Sequence, residues 1–164
     1  MSIAGRTLSL VALLIAAVVF QVAWGAAMQI GPARPNLALV AMLVISLFGN
    51  TTQGVAFGFL SGILEASYSA RFFGSMIVTR SLTGLAAGAL EESIFRDSPF
   101  VALLVVSGGT FVAEVLLYLF APQPFLRHWA IRVSFEVIYN GILAIPVYLL
   151  FRKLIRWKRD VWSR

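Results

Sequence analysis

Gly54-Val55-Ala56-Phe57-Gly58-Phe59-Leu60-Ser61-Gly62-Ile63-Leu64-Glu65 sets three glycines at intervals of four and ends on an acid. At about 100° per residue of helix these glycines drift slowly round one face, and Glu65 falls on that same face. Missing side chains let a second helix come close, a device common where lipid gives helices no hydrophobic reason to associate. Close packing within one chain is the favoured reading, and a seam between two copies is the alternative. On either reading Glu65 points into protein, because a charge at a helix centre in the bilayer costs roughly 2.5 to 3.5 kcal/mol.

The rest of the chain supplies the apolar setting that this stretch needs. It has 164 residues, 60% hydrophobic and 12% charged, with a mean hydropathy of +0.90. That composition departs from a soluble domain and predicts an all-α integral membrane protein. Residues 1–164 are read as a single transmembrane domain of six helices: Thr7 to Ile30, Pro35 to Phe48, Gly54 to Ser69, Phe73 to Leu90, Pro99 to Phe120 and Ala130 to Phe151. Gly31-Pro32, Gly49-Asn50-Thr51-Thr52, Arg71, Asp97-Ser98-Pro99 and Pro122-Gln123-Pro124 break the runs. A crossing takes about 20 apolar residues, so the second and third runs are short and either borrow turn residues or sit inside protein. Five spans, with these two partly re-entrant, is the alternative. The first run is too long for a signal-peptide core, and Ala26-Ala27-Met28 is a poor cleavage site, so the run is expected to stay as a helix.

Lysine and arginine in short flanks stay on the cytoplasmic side. The net charge of +6 gathers in a short tail, 152–164, with Arg152, Lys153, Arg156, Lys158, Arg159 and Trp157. This pattern predicts a topology anchor at anionic lipid, worth about 1 kcal/mol per basic residue, or a contact for a cytoplasmic partner. With six spans both termini are cytoplasmic. Glu91, Glu92, Arg96 and Asp97 are a second cytoplasmic contact candidate.

Alternating spans put Glu65, Arg80, Glu114, Arg132 and Glu136 at one depth, roughly 6 to 12 Å below the outer face for the first two. Gly84 and Ala87 share the Arg80 stripe on the fourth span, with Gly88 beside them as a further close-packing glycine. Ser107, Thr110, Glu114 and Tyr118 line the fifth, and Arg132, Glu136 and Asn140 recur at intervals of four on the sixth. Three acids then face two arginines. The remainder calls for Arg71 or His128 reaching inward, a proton on one glutamate, water, or a group from a partner or ligand. A structural network and a binding pocket both fit this layer.

Enzyme classes find little support. There are no cysteines, which removes disulfides, thiolate metal sites and a cysteine nucleophile. His128 alone with scattered acids makes no metal site. Ser61, Ser67, Ser81, Ser107 and Ser134 have no base at their depth, Asp97 and Asp160 form no intramembrane pair, and no phosphate-cradling loop or nucleic-acid-binding face is present. No cofactor is expected.

Arg34-Pro35-Asn36-Leu37-Ala38-Leu39, the glycine stretch and Phe73-Gly74 resemble the rod shape-determining MreD family, the closest pattern covering about a third of the chain. Where that family shows an aspartate after the proline and another closing the glycine helix, this chain has Asn36 and Glu65. The resemblance implies a non-enzymatic inner-membrane scaffold of the bacterial elongasome that binds MreC and supports lateral peptidoglycan synthesis, with MreB, RodA and a penicillin-binding synthase as further partners. It also implies a fold like the substrate-binding subunits of energy-coupling-factor vitamin transporters, the alternative function. In such a subunit Ala12 and Ala16 would give small-residue docking.

Overall fold

The computed structural model describes residues 3–69, 72–90 and 98–160, without the side chains of residues 3, 4, 6 and 154–160. Its elements are six helices: α1 (Ile3–Trp24), α2 (Leu37–Phe48), α3 (Thr51–Ser69), α4 (Phe73–Leu90), α5 (Pro99–Phe120) and α6 (Leu126–Asp160). Of these, α1, α5 and α6 are long and apolar enough to cross a membrane, while α2 is a shorter apolar helix. The molecule is a membrane protein built on helices alone among the described residues.

The shortest helix is the centre. Every residue from Ala38 to Leu47 is buried, and α2 touches all five other helices. Its run Leu37–Phe48 is apolar on every side, the pattern of a helix with no face to give to water. Around it α1, α3, α4, α5 and α6 follow one another as a sheath, since α1 meets α3, α3 meets α4, α4 meets α5 and α5 meets α6. The outer surface carries Leu8, Val19, Phe59, Leu104, Phe111, Ile138 and Leu149.

Helices α1, α3 and α6 start three or four residues earlier than expected and α2 two residues later, and the two largest boundary shifts have local reasons. The first run ends at Trp24 rather than Ile30, because Gly25 opens a turn and Gly31, at φ +59°, reverses the chain so that Ile30 and Ala33 exchange backbone hydrogen bonds of 3.0 and 3.2 Å. The last run does not stop at Phe151: α6 continues to Asp160 and takes the first part of the basic tail into the helix. No glycine or proline lies between Phe151 and Asp160 to end it.

The glycine face of α3 is spent inside the chain. A Cβ on Gly54 would strike the carbonyl oxygen of Gly84, and one on Gly84 would strike that of Gly54. Further along, a Cβ on Gly58 would meet the Arg80 carbonyl, one on Gly62 would lie 2.6 Å from Ile77 Cα, and one on Gly88 2.9 Å from the Asn50 carbonyl oxygen. Partner numbers fall as glycine numbers rise, so α3 and α4 run antiparallel, backbone against backbone. This contact occupies the surface on which a seam between two copies was the alternative reading. Gly58→Leu is therefore expected to prevent α3 and α4 from closing, because overpacking costs about 1 to 3 kcal/mol even where neighbours are side chains that yield. Thermal unfolding of the purified protein measures it: a lowered midpoint is expected, and an unchanged one would contradict the packing.

Candidate functional site

The antiparallel register of α3 and α4 places Glu65, near the end of one, beside Arg80, about two turns into the other. Arg80 donates to Glu65 through two atoms, Nε to Oε1 at 3.1 Å and Nη2 to Oε2 at 3.0 Å. A planar guanidinium matches both carboxylate oxygens, the strongest common ion-pair geometry in proteins. Both side chains are buried, at 1% and 2% exposure, so the pairing is what makes either charge tolerable.

The same guanidinium reaches α5. Its Nη2 lies 3.6 Å from Glu114 Oε1, and the other oxygen of Glu114 accepts from Arg132 Nη2 on α6 at 2.7 Å. Arg132 Nη1 donates to Glu136 one turn further along α6, at 2.6 Å. Signs thus alternate through Glu65, Arg80, Glu114, Arg132 and Glu136, and all five expected ionisable residues meet in one connected row. Exposure rises only at the α6 end, where the Arg132 side chain is 33% exposed.

Neutral side chains carry the row round the rest of the bundle. Asn36 precedes α2 and caps it, its Oδ1 accepting from Leu39 N at 2.9 Å. Its Nδ2 donates to Glu65 Oε2 at 2.8 Å, and its backbone N donates to Asn140 Oδ1 at 3.0 Å. Asn140 Nδ2 reaches Thr110 Oγ1 on α5 at 3.4 Å, while Ser61, one turn before Glu65, donates to Oε1 at 3.1 Å. Thr110 and Glu114 lie one turn apart on α5, as do Glu136 and Asn140 on α6. Hydrogen bonds and ion pairs, joined by these single turns of α5 and α6, therefore close a ring through the start of α2 and through α3, α4, α5 and α6.

Asn36 shows why an amide serves here. An aspartate would set a second carboxylate against Glu65 where the amide now donates. Asn36, Asn140 and Ser61 are the ring members that reading by charge alone passes over as site residues. Asn36 had a signal, since asparagine directly before an apolar run marks a helix start.

Helix α1 joins from outside through Gln21, whose Oε1 accepts from Ala38 N at 3.0 Å and whose Nε2 donates to the Tyr68 hydroxyl at 2.5 Å. Tyr139 on α6 donates to the Met28 carbonyl at 2.9 Å, tying down the segment between α1 and α2. His128 is exposed one turn before Arg132 on α6 and stacks edge-on with Phe125 at 5.9 Å. Arg34 is exposed and donates to Gln29 at 2.8 Å. Ala12 and Ala16 lie exposed on α1, Arg152 is half-buried and Lys153 exposed. The side chains of Arg156, Trp157, Lys158 and Arg159 lie outside the described residues, as do Arg71, Glu91, Glu92, Arg96 and Asp97. Among the described residues no group of three metal-ligating side chains gathers.

Chemically the ring suits holding five helices in one register, or presenting its open α6 end to another polar group. Glu114 bridges two arginines, whereas Glu136 meets one. Glu114→Gln is accordingly expected to cost about 3 kcal/mol of stability, the range for breaking a buried pair, and Glu136→Gln much less. Unfolding of the two variants side by side measures this, and equal losses would contradict the geometry.

The family model described as rod shape-determining protein MreD matches residues 1–158. No curated protein and no solved structure matches.

Proposed function

The chain belongs to the rod shape-determining MreD family, and we propose that it acts as a non-enzymatic inner-membrane scaffold of the elongasome, binding MreC and supporting lateral peptidoglycan synthesis. The family is one of structural proteins of rod-shape determination, which gives the coarse role; the partners are inferred from it. MreB, RodA and a penicillin-binding synthase are further members of the proposed assembly. The observation that carries the reading is the family match over nearly the whole chain.

The arrangement of the helices supports a scaffold. Charges in the ring are paired with one another across four helices and tied by hydrogen bonds to the start of a fifth, an arrangement suited to rigidity rather than to turnover. A rigid bundle with an apolar outer surface offers partners a fixed set of helix faces in the membrane.

Six crossings are proposed, with both termini cytoplasmic. At 1.5 Å per residue α2 spans roughly 18 Å, short of a hydrocarbon core of about 30 Å, but its burial removes the need to match lipid. Helices α3 and α4 are roughly 28 and 27 Å long; their glycines, Glu65 and Arg80 lower their hydropathy and face protein. Arg6 and the basic residues from Arg152 onward favour the cytoplasmic side.

Complementation tests the role. In a rod-shaped bacterium depleted of its own MreD-family protein, this chain is expected to restore rods and to bring MreC with it when purified from native membranes. Cells that stay round while the chain accumulates in the membrane, with no MreC recovered, would contradict it.

A further inference from the structure

The ring does not balance its own charge. Glu65, Glu114 and Glu136 bring three carboxylates against the two guanidiniums of Arg80 and Arg132, and of these five only Arg132 is appreciably exposed. An unneutralised carboxylate away from water is strongly disfavoured, so one further positive charge belongs to the folded ring.

Hydrogen bonding locates it. Each oxygen of Glu65 accepts twice, Oε1 from Arg80 Nε and Ser61 Oγ, Oε2 from Arg80 Nη2 and Asn36 Nδ2. Each oxygen of Glu114 faces an arginine. A proton on either residue would turn an acceptor oxygen into a hydroxyl and set it against a donor already there. Glu136 differs: among the described residues it accepts only from Arg132, and on Oε2 alone. Its other oxygen is free to take a proton while the contact with Arg132 stays in place.

The charged and titratable groups of the elements around Glu136 point the same way. Helix α3 brings Glu65 and Tyr68, whose hydroxyl accepts from Gln21, α4 brings Arg80, α5 brings Glu114, and α6 itself brings Arg132, with His128 exposed one turn before it. Helix α2 brings only neutral Asn36. In the segment before it, Arg34 is exposed and engaged with Gln29. Tyr139, one turn from Glu136, spends its hydroxyl on the Met28 carbonyl.

We propose that the ring binds one proton, held on Oε1 of Glu136, which makes the set of five ionisable residues neutral and places an exchangeable site at its open end beside Arg132. The proton bonds to one carboxylate oxygen and comes from solvent at the Arg132 edge. No other bond changes. Its basis is the charge of the ring and not the identity of any partner, so it stands whether or not MreC binds.

Infrared spectroscopy of the full chain in lipid bilayers, in buffer free of divalent metal, tests the site. At neutral pH a protonated-carboxyl carbonyl band is expected that shifts when glutamate is carbon-13 labelled and is lost in Glu136→Gln. The amide has nearly the shape of the neutral acid, so this variant is expected to fold. Stability gives a second reading. If the native state binds a proton that the unfolded chain releases, stability falls as pH rises from about 4.3, where an unfolded glutamate gives up its proton, and levels off once the folded site has lost its own. That fall is expected in the unsubstituted chain and absent in Glu136→Gln. A band missing at neutral pH, unmoved by the label, or retained in Glu136→Gln would overturn the proposal, as would parallel stability curves.

Discussion

A charge buried among apolar helices must find its opposite, and that requirement organises this molecule. Arg80 is 1% exposed and sits between Glu65 on one side and Glu114 on the other. Removing Glu65 would leave this buried cation only the 3.6 Å contact with Glu114, so the three helices that carry these residues are held at one level. The row from Arg80 through Glu114 to Arg132 and Glu136 extends the same constraint to α6, and Asn36, Asn140 and Thr110 bring it back through α2 and α5. Packing alone is weakly directional between apolar helices. The polar ring supplies the direction.

Two kinds of contact divide the work. Away from the ring, Gly54 and Gly84 bring the backbones of α3 and α4 into direct touch, where area and shape decide. At the ring, distance and sign decide. The glycines make the ring possible: only a close α3–α4 approach lets Arg80 engage both oxygens of Glu65. Helix α2 then fills the centre, its short length permitted because the sheath, not lipid, surrounds it.

Much of this was legible in the sequence and some was not, for physical reasons. Apolar runs and their breaks gave the six helices, because glycine, proline and asparagine stop a helix whatever it packs against. The interval of four between Gly54, Gly58 and Gly62 gave the close-packing face, but not which helix fills it, since absent side chains carry no address. Alternation of the helices predicted the shared level of the five ionisable residues. Their pairing was open beyond Glu65 and Arg80, because Glu114 has two arginines within reach and only side-chain placement divides them. Asn140 stood out as the end of a stripe on α6; its bond to Asn36, far away in sequence, had no local signal. Gln21 is a polar residue inside an apolar run, and its two contacts could not be read from α1 alone. The extension of α6 past Phe151 was hidden by charge, as basic residues that mark a membrane edge are also good helix formers.

The scaffold reading and the ring meet in one statement: the bundle keeps its shape because Glu65 and Arg80 need each other. A double-mutant cycle measures that need most directly. The unfolding stability of Glu65→Gln, Arg80→Gln and the double variant would be compared with the unsubstituted chain. The account predicts a double variant less damaged than the two single losses summed, by a coupling of about 1 to 3 kcal/mol. Losses that add to within about 0.5 kcal/mol would show that the two residues act independently, and would contradict it.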